Sequence, residues 1–203
     1  MRPLALGVAA LGAFACAPDA PGRDGNTAMS SAAAANNVEW PRSFQIGRDA
    51  TPAEVAALDI DFGPDGAGAP PGSGSVAEGK IVFDSKCAVC HGATGQEGPN
   101  DQLVGREPRE GFPFGETRGL RRTVGNYWPY ATTIFDYVNR TMPMTAPGSL
   151  TANEVYAVAA YILFLNEIVP EDAVMNAQTL VAVVMPARDR FVRDDRDGGR
   201  VVR

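Results

Sequence analysis

At 203 residues, 45% of them apolar, the chain is long enough for one domain with extensions and too short for two large ones. A formal charge of −6 argues against a nucleic-acid binder and favours a soluble protein that meets its partners through local patches.

Residues 1–15 read as an export signal. Met1-Arg2 gives a positive start, Leu4 to Ala15 is an apolar run too short to span a membrane, and Ala13-Phe14-Ala15 has the small-x-small form of a cleavage site. Cleavage there makes Cys16 the new N-terminus, and Leu11 to Cys16 partly matches a lipoprotein box, with Ala13 where leucine is usual. The expectation is a periplasmic protein held at a membrane surface by a diacylated Cys16; the alternative is an ordinary secreted chain with a free thiol. Residues 16–37 form a flexible tether, since Pro18 to Asn37 has almost no large apolar side chain to offset the entropy of ordering it.

Residues 38–74 read as an N-terminal extension and linker. Trp40, Phe44 and Ile46 are apolar anchors suited to wrapping a core or docking on a larger subunit, and Gly63 to Ser75 is dense in Gly and Pro. Three segments share one opening, a Ser or Thr followed three residues later by Glu, which caps a helix reciprocally: Thr51/Glu54, Ser75/Glu78 and Thr151/Glu154. They predict a short helix to Leu58, a second through Phe83 to the cysteines that follow, and a third over 154–165 with Val155, Val158, Ala159, Ile162 and Leu165 at helical spacing. Ala131 to Arg140 also reads as helix, with Ile134, Tyr137 and Val138 on one face. Beyond Pro170, residues 171–177 read as another turn or two of helix, and Leu180 to Met185 as a short apolar run. Residues 187–203, with six arginines and four aspartates, read as a disordered charged tail.

Between the second and third capped helices lies Cys87-Ala88-Val89-Cys90-His91, a C-x-x-C-H run, the attachment motif of covalent haem c. Two thiols add across the haem vinyl groups, and the next residue, His91, binds the iron. A zinc site would require a second Cys/His pair, and the only other cysteine, Cys16, lies at the end of the signal. Because His91 is the only histidine, the distal ligand is a methionine, something rarer, or nothing.

This order of elements resembles the class I cytochromes c. In that family a glycine and an aromatic on the first helix pack against the last helix; Gly79 and Phe83 match them, with Tyr161 or Val158 opposite. The resemblance implies a mostly α-helical fold around one haem in residues 75–186. It implies that Gly98-Pro99-Asn100 wraps the proximal side, with the Pro99 carbonyl accepting the ring proton of His91. It also implies a distal methionine on the loop before the last helix, Met142 ahead of Met144, with Met185 of the second Met-Pro pair a remote candidate. Trp128 is read either as a donor to a haem propionate or as a core residue. Arg118, Arg121 and Arg122 are read as an exposed loop, or as partners of a propionate or of an acidic protein face.

A longer resemblance, to the haem domain of the SoxD-like cytochrome subunit of sulfane dehydrogenases, runs from about Gly47 to Asp189 and includes the distinctive Tyr127-Trp128-Pro129-Tyr130-Ala131-Thr132-Thr133. Such subunits commonly carry two haem segments, whereas this chain has one. The resemblance implies a carrier of single electrons without catalytic residues of its own, taking them from a molybdenum-containing sulfite or sulfane dehydrogenase and passing them to a downstream acceptor. The alternatives are a freestanding membrane-anchored carrier and, further off, a haem protein that binds or senses ligands.

Overall fold

The computed structural model describes residues 41–42 and 44–192. The chain divides into two units, Met1–Arg48 and Asp49–Arg203. In the first, the described residues form no helix or strand, and Phe44 and Ile46 are exposed. The export signal, Cys16, the tether and Trp40 lie outside the described residues.

In the second unit the described residues form six α-helices and one two-stranded sheet: α1 Pro52–Leu58, β1 Ser73–Ser75, α2 Val76–Lys86, α3 Ala88–His91, α4 Thr132–Thr141, α5 Ala152–Leu165, β2 Val174–Asn176 and α6 Ala177–Ala182. None of these helices is long and apolar enough to cross a membrane. The three predicted capping boxes are all formed, at the heads of α1, α2 and α5. The Ser75 backbone N–H holds the Glu78 carboxyl below its ordinary pKa, with help from the hydroxyl.

The core is organised around α5, whose residues from Val155 to Leu163 are all buried. A helix apolar on every side belongs in the centre of a fold. Against it lies α2, and a Cβ at Gly79 would overlap the Ala157 carbonyl oxygen and the Tyr161 side chain, so only glycine permits this approach. One turn later the fully buried Phe83 meets Tyr161 edge-on, ring centroids 5.3 Å apart. Lys86 then donates to Glu154 across 2.8 Å, joining the end of α2 to the start of α5. That hydrogen bond, together with those from Thr151, holds the Glu154 carboxyl down to about 2.

Three expectations are corrected. The linker packs into the fold: Phe62, just ahead of the Gly/Pro-rich stretch, is buried edge-on against Phe135, and Tyr156 donates its O–H to the Pro70 carbonyl within it at 2.9 Å. A Cβ at Gly74 would overlap the backbone of Ala157, so the glycine serves close packing rather than looseness. The expected helix over 171–177 is instead β2, antiparallel to β1 with Gly74 opposite Met175; Asn176 then caps α6, accepting the N–H groups of Gln178 and Thr179. The tail is ordered as far as Val192, with Ala187 buried and Phe191 edge-on to Phe112 and Tyr127; residues 193–203 lie outside the described residues. In each case the deciding contact comes from a distant part of the sequence.

Candidate haem-binding site

The C-x-x-C-H motif sits where α2 ends. Cys87 closes α2, donating its N–H to Phe83 at 2.8 Å, and its own carbonyl accepts the N–H groups of Cys90 and His91 at 3.0 Å each. This single turn is α3, so both cysteines and the histidine leave the backbone within one helical turn. Cys87 and Cys90 are free thiols, each half-buried. Burial pushes the Cys87 thiol up to about 11, against the opposing pull of the Lys86 ammonium.

Downstream, the chain folds back flush against this turn. Gly92 ends α3 at φ +82°, and a Cβ at Gly98 would overlap the Cys90 carbonyl and the His91 backbone. Between them, Thr94 donates both its hydroxyl and its N–H to Glu97, which holds that carboxyl down to about 2. Asn100 donates its N–H to the Cys90 carbonyl at 3.0 Å. The carbonyl that meets the His91 ring is that of Asp101, 2.7 Å from Nδ1; it lies two residues beyond Pro99, where the family resemblance puts the acceptor. A carbonyl can only accept, so Nδ1 carries the proton and Nε2 keeps a lone pair free to bind a metal.

The methionines separate by environment. Met185 is buried in the core, Met144 is 65% exposed, and Met142 is half-buried against the core at the end of α4, its N–H donating to Val138 at 3.0 Å. Trp128 is half-buried on the same core, edge-on to Tyr137 with centroids 5.8 Å apart. Four residues on, the buried Thr132 hydroxyl has no hydrogen-bond partner, a departure from the usual pairing of buried polar groups. Two half-buried thiols and a ring with a free nitrogen, all on one turn, suit the attachment and ligation of a haem.

The arginine-rich loop is largely engaged with its own chain. Arg106 pairs with Glu167 at 3.0 Å, Arg121 reaches Gln102 at 3.4 Å, and Arg122 lies 4.7 Å over the Tyr127 ring; Arg118 is exposed. The sequence reading missed the Asp101 carbonyl and the buried Asn166, which accepts from Gly105 N–H and donates to the Leu103 and Ile162 carbonyls. A backbone carbonyl has no residue signature, and a single asparagine after a helix looks like an ordinary cap.

The cytochrome c family model matches residues 76–166. A thiosulfate dehydrogenase of Psychrobacter arcticus is 33% identical over 89 residues, which is 43% of this chain and only a quarter (25%) of the length of that relative. A chain of the crystal structure of the sulfane dehydrogenase SoxCD from Paracoccus pantotrophus superposes with a TM-score of 0.65 at 36% identity, covering 78% of this chain and 76% of that one.

Proposed function

This chain belongs to the cytochrome c family, and from that premise we propose that it is an electron carrier of sulfur-compound oxidation, the electron-accepting partner of a molybdenum-containing sulfite or sulfane dehydrogenase. The observation that carries this reading is the extent of the likeness to the SoxCD chain. It takes in 78% of the present chain, well beyond the common haem domain at 76–166, and so includes segments that a minimal cytochrome lacks.

Covalently bound haem c supplies a one-electron couple at its iron. Cys87 and Cys90 would hold the group, and His91, its tautomer fixed by the Asp101 carbonyl, would offer Nε2 to the metal. Met142 would offer its thioether to the metal, a ligand that favours the reduced state. With His91 and Met142 both engaged in this way, the site would pass electrons rather than take up a substrate. Export to the periplasm is supported by the apolar run Leu4 to Ala15, and a lipid anchor on Cys16 by the partial lipoprotein box.

The test is gentle purification of the native protein from membrane and periplasmic fractions, followed by assay for molybdenum and for haem reduction by sulfite or thiosulfate. The expected outcome is co-purifying molybdenum with substrate-driven reduction. A haem protein without molybdenum, reduced by neither substrate, makes it a freestanding carrier instead.

A further inference from the structure

We propose that Asn166 is a positioning residue for the proximal haem ligand, acting through the loop that holds the His91 ring. The inference rests on the reading of His91 as an axial ligand. Asn166 is fully buried at the end of α5 and works as a three-way tie. Its Oδ1 accepts from the Gly105 N–H at 3.0 Å, and its Nδ2 donates to the Ile162 carbonyl at 2.9 Å and the Leu103 carbonyl at 3.3 Å. One side chain thereby pins the last turn of α5 to both ends of the short segment 103–105.

That segment is the far anchor of the proximal loop. Leu103 and Val104 donate their N–H groups to the Gly95 carbonyl at 2.8 and 3.1 Å, which closes the loop over Asp101, the residue whose carbonyl takes the His91 proton. At the other end, Asn100 is tied to the Cys90 carbonyl. Asp101 therefore hangs between an anchor on the motif itself and an anchor on α5, and Asn166 is the side chain that makes the second one. The surroundings are shaped for it: a Cβ at Gly125 would overlap its Oδ1, and Thr123 donates its hydroxyl to the Gly105 carbonyl. A buried amide with this many bonds is costly to lose, because each orphaned group keeps its desolvation cost.

The geometry assigns Asn166 an effect on the histidine distinct from its effect on global stability. The test compares the haem-loaded wild type with Asn166→Leu, close in size and without hydrogen-bonding groups, and with Leu180→Ala, a destabilising control in the buried face of α6. The readout is hydrogen exchange of the His91 Nδ1–H in the reduced protein by nitrogen-15 NMR, with the midpoint potential as a second measurement. In Asn166→Leu the ring proton should exchange about tenfold faster or more, with a shifted potential, while Leu180→Ala leaves both near wild type. Should Asn166→Leu not fold, Asn166→Thr, which keeps one polar group, is compared with the same control. Unchanged exchange and potential in the asparagine variant, or equal changes in the control, overturn the proposal. A wild type whose His91 ring shows no haem-shifted resonance overturns the axial assignment itself, and the proposal with it.

Discussion

Helices α1 and α5 open with the same chemistry and end in opposite situations. Both begin at a threonine whose N–H donates to a glutamate three residues on at 2.8 Å, while the glutamate N–H donates back to the threonine hydroxyl at 3.3 Å. Yet α1 buries none of its seven residues, and Leu58 is 80% exposed, whereas α5 is buried from Val155 to Leu163. A capping box marks where a helix starts; burial decides whether the fold depends on it. Isolated helices as short as α1 are marginal in water, so its contribution to global stability is small.

Truncation should separate the two regions most widely. Phe83→Ala, which empties the α2–α5 crossing, should cost about 3–5 kcal/mol in chemical denaturation of the haem-loaded protein. Leu58→Ala on α1 should change it by no more than about 0.5 kcal/mol. Comparable losses at the two sites would mean that α1 belongs to the cooperative core.

The caps give a finer test with identical chemistry on both sides. Thr151→Ala should cost about 1 kcal/mol of global stability, because α5 unfolds only with the whole. Thr51→Ala should leave the global midpoint unmoved and appear as faster amide exchange within α1 alone.

The smallest effect lies in the acid limb of stability. The Glu154 carboxyl is depressed to about 2 in the fold, first by Lys86 and then by Thr151. A carboxyl whose pKa is lowered on folding contributes its full stabilisation above its unfolded value of 4.5 and loses it as pH falls through about 2. Thermal midpoints measured across that window should fall less steeply in Lys86→Met than in wild type. Parallel slopes would show that the cross-helix pair adds nothing to the cap.

What was legible in the sequence was what local chemistry dictates. The capping boxes at Thr51, Ser75 and Thr151 fixed three helix starts, because each is complete within four residues. The haem motif was readable for the same reason, since Cys87, Cys90 and His91 act within one turn. Gly79 and Phe83 announced the helix crossing through a resemblance, and the structure supplies its cause in the Ala157 carbonyl that any Cβ would strike.

Tertiary structure alone decided the rest. The pairing of Ser73–Ser75 with Val174–Asn176, the seating of Phe62 on Phe135 and the packing of Phe191 on Tyr127 join residues far apart in the chain, and none leaves a periodic trace in either partner. The carbonyl that holds the His91 ring belongs to Asp101, and the tie that holds its loop belongs to Asn166, 75 residues beyond the histidine by number. A backbone acceptor is common to every residue and a buried amide gains its meaning from what surrounds it, so neither is decided until the chain has folded around them.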